Sequence, residues 1–302
     1  MRASFAVLAL IALAAGCGSS KSHSKRSAPK PGSLEALWKS SGQAVALIPG
    51  TSDYEPGELR ISFLVVDMRG RVIAPEKARL WIARSLEERP YQTTIARRER
   101  VGVPGHPSDA DIDELYVAHV RASRPGAYYV LARPIGGPVR IGGVREVLVR
   151  ARSASPALGS RAYPSQTPTL ASTGGRIAQL TTRVPPDREL VRYSIADSLA
   201  AHVPFVVAFA TPRWCTSRTC GPVVDVVDQV RRRFAGSGIR FIHVEVYAGN
   251  DPRNGENRWM REWHLPSEPW TFLVGRNGRI KAKFDGMLSV RALEQAVRSY
   301  LK

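Results

Sequence analysis

Residues 203–222 read VPFVVAFATPRWCTSRTCGP, and this stretch decides how the C-terminal half of the chain is interpreted. Val203 to Ala210 is continuously apolar, which is typical of a strand buried on both faces of a sheet. Cys215 and Cys220 follow this segment, and Pro222 suits the first position of a helix. The pattern therefore predicts a buried strand, a turn that holds Cys215, and a helix that starts near Pro222.

The position of the cysteine pair predicts thiol chemistry. Unpaired backbone N–H groups at a helix N-terminus favour negative charge, so they lower the pKa of a nearby thiol. Arg213 and Arg218 act in the same direction, and no acidic residue lies between residues 202 and 224. Residues five apart lie about 140° from each other on a regular helix, so one cysteine must lie in the preceding turn. We predict that Cys215 attacks and that Cys220, the more deeply buried thiol, resolves.

Helical and strand patterns alternate from about residue 173 onward, which predicts an α/β unit over residues 173–302. The predicted elements, in chain order, are the helix Ser194 to Ala201 with Ser194 as its N-cap, the strand Val203 to Ala210, the helix Pro222 to Phe234, the strand Arg240 to Tyr247, the helix Asn254 to Trp263, the strands Trp270 to Val274 and Ile280 to Phe284, and the helix Val290 to Leu301.

Three segments of this unit resemble the thioredoxin superfamily, over about residues 165–302. The first is Phe209-Ala210-Thr211 followed by Trp214-Cys215, which resembles the strand and Trp-Cys entry of that family. The other two resemble its cis-proline strand and hairpin, and they are Glu268-Pro269-Trp270-Thr271-Phe272-Leu273-Val274 and Asn277-Gly278-Arg279-Ile280. The resemblance implies a thioredoxin-like fold that works through its two thiols, without a cofactor. It also implies a substrate groove shaped by Trp214, Pro269 and Trp270.

The sequence departs from the thioredoxin pattern in ways that leave other functions open. Four residues separate the cysteines instead of two, a spacing that resembles some atypical peroxiredoxins, although Thr211-Pro212 lies one residue too far upstream for that motif. A copper-binding chaperone of this fold would need a histidine ligand, for which His243 and His264 are the candidates. The usual buried carboxylate before the cysteines is absent, and Glu245 is a possible proton acceptor in its place. For His243 and Glu245, the alternative interpretation is a hydrogen-bonded strand end that faces solvent.

The preceding part of the chain, residues 42–152, has an all-β pattern. Short segments rich in β-branched and aromatic residues alternate with turn residues, which predicts an antiparallel, immunoglobulin-like sandwich. The predicted strands are Ala44 to Ile48, Leu59 to Val66, Ala78 to Ala83, Leu115 to Val120, Ala127 to Ala132 and Val144 to Val149. The polar stretch Arg97 to Asp113 is predicted to be a long exposed loop. His106 and His119 are isolated, so no catalytic group is predicted here. Residues 153–172 are rich in Ser, Pro and Ala and are predicted to be a linker.

The N-terminus has the pattern of an export signal. Residues 1–17 combine Arg2 with an apolar run of eleven residues, which is too short to span a bilayer of ~30 Å. Leu13-Ala14-Ala15-Gly16-Cys17 resembles the bacterial lipoprotein box, which implies cleavage before Cys17 and lipidation of its thiol. Residues 18–41 are predicted to be a polar, basic tether beside the membrane surface. This part of the sequence predicts a lipid-anchored protein on the extracytoplasmic face of the cell membrane.

Composition excludes several classes of protein. Three cysteines in 302 residues exclude a disulfide-dense scaffold and a four-cysteine zinc site. The net charge of +18 is divided evenly, because residues 1–160 and 161–302 each carry an excess of nine basic residues. A nucleic-acid-binding protein usually concentrates its charge in one patch, so we predict no nucleic-acid partner.

These observations together predict a membrane-anchored, extracytoplasmic thiol–disulfide oxidoreductase. Its predicted partners are exported proteins with thiols or disulfides, together with a redox partner that restores the Cys215/Cys220 pair. The alternatives are a thiol peroxidase with the same cysteines, a copper-binding chaperone, and a non-catalytic adaptor whose β domain binds a partner.

Overall fold

The structure, a computed structural model, describes residues 28–39, 45–73, 75–101, 103, 114–136, 143–215 and 219–302. The predicted signal peptide with Cys17 and the isolated His106 lie outside these residues. We call residues 28–152 the N-terminal half and residues 153–302 the C-terminal half. No helix among the described residues is long and apolar enough to cross a membrane.

Within its described residues, the N-terminal half contains one short helix and seven strands. They are α1 (Leu34–Trp38), β1 (Val45–Pro49), β2 (Gly57–Asp67), β3 (Lys77–Ala83), β4 (Gln92–Arg100), β5 (Glu114–Ala122), β6 (Gly126–Ile135) and β7 (Gly143–Val149). All pairs are antiparallel, in the order β1-β2-β5-β4-β3-β6-β7. The predicted all-β character of this half is therefore observed.

The seven strands form one curled sheet, whereas the sequence analysis predicted two packed sheets. Its two edges approach each other, because a Cβ on Gly143 of β7 would lie 2.8 Å from the Leu47 side chain of β1. Tyr54 also forms an isolated bridge with Val149. Alternate residues of each strand point inward and form the core of this half, so a single sheet covers its own apolar face. The immunoglobulin-like sandwich is corrected to a nearly closed sheet.

Two elements of the N-terminal half differ from the sequence predictions. Strand β4 was not predicted, and it includes Arg97 to Arg100 of the predicted exposed loop. Four of its nine residues are charged, and only Ala96 is buried. Helix α1 lies within the predicted tether, and its Leu34 is fully buried beside Ala83 and Leu131. The chain is therefore packed onto the sheet before residue 41.

The C-terminal half is an α/β unit. Its elements are α2 (Ile195–Ala200), β8 (Phe205–Phe209), α3 (Cys220–Arg233), β9 (Arg240–Val244), α4 (Arg258–Glu262), β10 (Trp270–Val274), β11 (Ile280–Asp285) and α5 (Val290–Tyr300). The predicted order of helices and strands is confirmed. The sheet order is β11-β10-β8-β9, with β8 parallel to β9 and β10 antiparallel to both of its neighbours.

Apolar cores lie on both faces of this four-stranded sheet, which is why β8 and β10 are buried at every position. One core contains α3 and α5, and the other contains the aromatic residues Trp263, Trp270 and Phe272. Ser194 caps α2, as predicted, by accepting a hydrogen bond from the Asp197 N–H.

The two halves contact each other along β11. The Asp285 carboxylate accepts hydrogen bonds from the backbone N–H groups of Ser52 and Asp53, at 2.6 and 2.9 Å. Residues 153–172, the predicted linker, contain no helix or strand, and Ser153 and Ser155 of this segment bond to Asp53. Lys283 of β11 donates to the same two serines. The segment is therefore packed between the halves.

Candidate active site

The cysteines lie where β8 leads into α3. Helix α3 begins at Cys220, with Thr219 as its N-cap residue, so Pro222 is its third residue and not its first. Cys215 lies in the turn before the helix, as predicted, and residues 216–218 lie outside the described residues. The turn starts with a hydrogen bond from the Trp214 N–H to the Thr211 carbonyl. This local fold brings the two cysteines together although they are five residues apart.

The first turn of α3 is directed at the Cys215 sulfur. The backbone N–H of Cys220 donates to Cys215 Sγ over 3.3 Å, and the Thr219 hydroxyl lies 3.9 Å from the same sulfur. Thr219 makes no side-chain capping bond, and the sulfur instead accepts a hydrogen bond from the N–H of the first helical residue. A hydrogen bond from an amide at a helix N-terminus stabilises a thiolate more than a neutral thiol. Cys215 is therefore placed for nucleophilic chemistry.

Cys220 lies below Cys215 in the apolar core around α3. Its side chain is fully buried, whereas Cys215 is partly exposed, and no disulfide joins the two sulfurs. Burial raises the pKa of Cys220, and the hydrogen bond to the Cys215 sulfur raises it further. A backbone hydrogen bond from Thr211 opposes this shift. The pair thus has one accessible sulfur and one shielded sulfur, which is the arrangement expected from the sequence.

Trp214 forms one wall beside Cys215. The indole is 37% exposed, and its Nε1–H donates to the Asn250 carbonyl over 2.8 Å. The Arg213 guanidinium lies 4.9 Å from the centre of the ring. The ring is therefore held in place while part of its surface stays open to solvent. This position fits the predicted role of Trp214 in a groove.

Pro269 precedes β10 and follows a cis peptide bond with Glu268. Trp270 pairs with Phe209, the last residue of β8, so Pro269 lies at the sheet edge from which the cysteine loop departs. Its carbonyl accepts a hydrogen bond from the Gly286 N–H over 2.9 Å. Pro269 thus lies at the end of the sheet from which the cysteine loop departs, and its carbonyl oxygen is already engaged.

The parallel β8–α3–β9 unit, the antiparallel β10–β11 hairpin, the closing helix α5 and the cis-proline at the cysteine edge together define the architecture of this half. The C-terminal half has a thioredoxin-like fold.

Comparison with solved structures finds similarities at low sequence identity. The chain is similar to StoA from Bacillus subtilis, with 15% identity, a TM-score of 0.28, and coverage of 39% of this chain and 94% of StoA. It is also similar to a thiol:disulfide interchange protein of the thioredoxin family from Chlorobium tepidum TLS. There the identity is 16% and the TM-score 0.27, with coverage of 47% of this chain and 100% of the other. No family model and no curated protein matches the sequence.

Trp270 does not line a groove, so this prediction is corrected. The side chain is only 1% exposed and stacks on Phe272, with 5.7 Å between ring centres. It points to the opposite side of the thioredoxin-like sheet from α3, because it belongs to the core that contains Trp263. Period-two alternation along β10 places Trp270 on that face, whereas the sequence motif alone suggested proximity to Pro269.

Glu245 is buried and does not face solvent. Its Oε1 accepts hydrogen bonds from the N–H and the hydroxyl of Thr182, and its Oε2 has no hydrogen-bond partner. The Thr182 hydroxyl oxygen also accepts from the Arg213 N–H over 3.1 Å. Glu245 is therefore linked to the cysteine loop through Thr182.

Glu268 is a carboxylate at the site that the sequence analysis did not single out. It is half-buried, and burial together with the charge of Cys215 raises its pKa. Its charge in turn contributes to the raised pKa of Cys220 and of Tyr247. The sequence could have identified Glu268 by its position directly before Pro269, because that proline is predicted to shape the substrate groove.

The two histidines considered as copper ligands lie in other environments. His243 is buried, and its ring nitrogens are hydrogen-bonded to the Ala210 carbonyl at 2.9 Å and to the Thr181 hydroxyl at 3.1 Å. Burial lowers the pKa of His243. His264 is exposed and packs edge-on against Tyr163. Among the described residues, no group of three or more potential metal ligands is found. Both nitrogens of His243 are thus engaged within the protein.

Proposed function

We propose that this chain is a membrane-anchored, extracytoplasmic thiol–disulfide oxidoreductase that acts on exported proteins. The observation that carries the proposal is the hydrogen bond from the Cys220 N–H to the Cys215 sulfur at the start of α3. It supports a pair in which an accessible thiolate attacks and a buried thiol resolves. The thioredoxin-like fold around the pair is consistent with this chemistry.

The reaction is a pair of thiol–disulfide exchanges. The Cys215 thiolate attacks one sulfur of a client disulfide, and the other client sulfur leaves as a thiolate and takes up a proton. Cys220 then loses its proton and attacks the Cys215 sulfur of the mixed disulfide. The second client thiolate leaves and is protonated, so the client gains two electrons and two protons while Cys215 and Cys220 form a disulfide. The same steps in reverse oxidise a client, and a second thiol protein restores the pair.

The side chains near the two cysteines have separate proposed roles. Trp214 offers an exposed aromatic surface against which a client chain can pack beside Cys215. Glu268 is placed to exchange protons with the leaving thiolates, because its raised pKa brings it closer to neutral pH. We include Glu268 in the proposed site and give Glu245 a supporting role through Thr182.

Anchoring is proposed from the sequence of residues 1–17, which resembles a lipoprotein signal. We expect the protein to fractionate with membranes through acyl chains on Cys17, and Cys17→Ser to release it or leave it unprocessed. A mature N-terminus beyond residue 17 that carries no lipid would contradict this part of the proposal.

The unequal roles of the cysteines give the main test. In the reduced protein near pH 6, iodoacetamide should modify Cys215 before Cys220, because Cys220 is buried and its pKa is raised. Cys220→Ser should accumulate mixed disulfides with a reporter disulfide protein such as insulin. Cys215→Ser should accumulate none, and it serves as the matched control because it removes one thiol from the same site.

Two results would contradict the proposal. One is failure of the pair to interconvert between dithiol and disulfide in glutathione buffers, which would indicate a redox-inactive scaffold. The other is rapid consumption of micromolar hydrogen peroxide through a sulfenic acid on Cys215, which would favour a thiol peroxidase.

A further inference from the structure

The two halves of the molecule enclose a polar cleft that is separate from the cysteine site and lies on the outer face of the N-terminal sheet. It has a volume of about 430 Å³ and lies between strands β2, β4 and β5 of that sheet and helix α5 of the thioredoxin-like half. Its lining includes four arginines, namely Arg60, Arg97, Arg98 and Arg291. Two carboxylates, Glu76 and Glu99, also line it, together with His119. None of these residues belongs to the cysteine site.

Arg60 forms no close ion pair with a described residue, although the charges of Glu99 and Asp285 act on it from further away. Its Nη1 is buried and has no hydrogen-bond partner, and its Nη2 contacts the Met287 carbonyl at 3.5 Å, the limit for a hydrogen bond. The guanidinium lies 5.8 Å from the centre of the Phe284 ring. Burial lowers the pKa of Arg60, and the charge of Glu99 only partly opposes this shift. A buried guanidinium is normally paired with an anionic group, so Arg60 is a favourable position for a bound anion.

Some of the other charged side chains of the cleft are paired with each other or with neighbours, and the remaining arginines can bind an anion. Arg98 is paired with Glu114 at 3.0 Å, and Glu99 accepts a hydrogen bond from the Ser289 hydroxyl. Arg97 and Arg291 are exposed and form no ion pair with any described residue. They come from opposite halves of the molecule, one from β4 and one from α5. A ligand held by both would therefore bridge the halves.

We propose that this cleft binds a small phosphate-type oxyanion between Arg60, Arg97 and Arg291. Guanidinium groups match phosphate oxygens with paired, charge-assisted hydrogen bonds, and the cleft is large enough for a phosphate or a small phosphate ester. The anion supplies a hydrogen-bond acceptor for the unpartnered Nη1 of Arg60. It also connects β4 to α5, so bound ligand stabilises the contact between the two halves. This proposal is independent of the thiol chemistry.

The test is calorimetric titration of the full chain with inorganic phosphate and, separately, with glycerol phosphate, at constant ionic strength set with chloride. We expect saturable binding and a melting temperature that rises with ligand concentration. Arg97→Gln and Arg291→Gln should each weaken binding roughly tenfold, since each removes a charge-assisted bond. Glu76→Gln should tighten it by removing a negative charge. Tighter binding of glycerol phosphate would point to a lipid headgroup as the source, and tighter binding of phosphate to the free ion.

Arg276→Gln is the matched control, because Arg276 lies in the exposed β10–β11 turn, outside the cleft, and its loss changes the net charge equally. The proposal is wrong if no saturable binding occurs, or if Arg276→Gln weakens binding as much as the cleft variants do. Arg60→Lys is a supplementary variant. The Arg97 and Arg291 variants keep the test decisive if Arg60→Lys does not fold, since their side chains are exposed. Alkylation of Cys215 reports that each variant retains a folded thiol site.

Discussion

Cys215 and Cys220 show how the surroundings of a residue, and not its type, set its chemistry. The helix amide of Cys220 points at the Cys215 sulfur, whereas the Cys220 sulfur lies in an apolar core that raises its pKa. Placement at a helix N-terminus is a local property, which the sequence could show. The burial of Cys220 depends on α5 and β10, which lie far away in the sequence.

Glu268 provides the first prediction at the scale of a single residue. The charge of Cys215 raises the pKa of Glu268, so by reciprocity an ionised Glu268 disfavours the Cys215 thiolate. Glu268→Gln should therefore shift the pH midpoint of Cys215 alkylation downward, by about half a unit to one unit. Glu58→Gln is the matched control, because Glu58 is exposed on β2 in the other half. An unchanged or higher midpoint in Glu268→Gln would exclude this coupling.

His243 provides the second prediction at the scale of a single residue. Burial lowers its pKa, so the unfolded chain binds the proton at a higher pH than the folded protein does. The free energy of unfolding should therefore fall as the pH drops below about 6.5, the ordinary histidine pKa, at up to about 1.4 kcal/mol per pH unit. Urea denaturation between pH 7 and pH 5 measures this slope. His243→Gln should flatten it, while the exposed His119→Gln should not. Equal slopes in the wild type and in His243→Gln would contradict the prediction.

Among the secondary-structure elements, β4 explains why one prediction failed. Its sequence, QTTIARRER, is rich in charge, and the sequence analysis took part of it for a loop. Only its Ala96 belongs to the core of the N-terminal half, and Arg97, Arg98 and Glu99 line the cleft at α5. A strand that is half charged is stabilised by its ladders to β3 and β5, which join residues 77–82 and 114–117 to it. Those partners are not visible in the local pattern.

Helix α5 provides the prediction at the scale of a secondary-structure element. The Ser289 hydroxyl caps the helix by accepting from the Ala292 N–H, and it donates to Glu99 of β4. Ser289→Ala loses both bonds, so it should lower the free energy of unfolding by about 1–2 kcal/mol. Ser289→Asn can cap the helix and donate to a carboxylate, and it should retain most of the stability. Urea denaturation compares the three proteins, and equal losses in both variants would argue against the capping role.

The whole molecule is held together by the strand that ends the thioredoxin-like sheet. Asp285 bonds to Ser52 and Asp53, and Lys283 bonds to the serines of the 153–172 segment. Met287 packs into a small apolar cluster with Leu64 and Val117 of the N-terminal sheet. Contacts of this kind favour unfolding of the two halves as one unit.

Gly286 tests this interface. Its φ is +74°, and a Cβ there would lie 2.1 Å from the Gly50 carbonyl oxygen of the other half. Gly286→Ala should therefore destabilise the protein by more than backbone strain alone, which costs about 1–2 kcal/mol. Gly236→Ala is the matched control, because Gly236 has a φ of +78° and open space around its Cβ position. Calorimetry should show a larger loss in Gly286→Ala, with the single transition broadened or split. Equal losses would mean that the halves do not meet at this point.

The sequence by itself determined the order of the helices and strands after residue 194, the place of Cys215 before a helix, and the cap at Ser194. These features depend on local properties, namely apolar runs, helical periodicity and capping residues, so they are readable along the chain. The tertiary structure alone decided that the N-terminal strands form one curled sheet, that Trp270 faces the core, and that the charges of Glu268 and Cys215 act on each other. Alternation shows which side of a strand is buried, but not which strand lies next to it or what faces it. Sheet closure and the charges around a thiol depend on those distant neighbours, and only the folded chain brings them together.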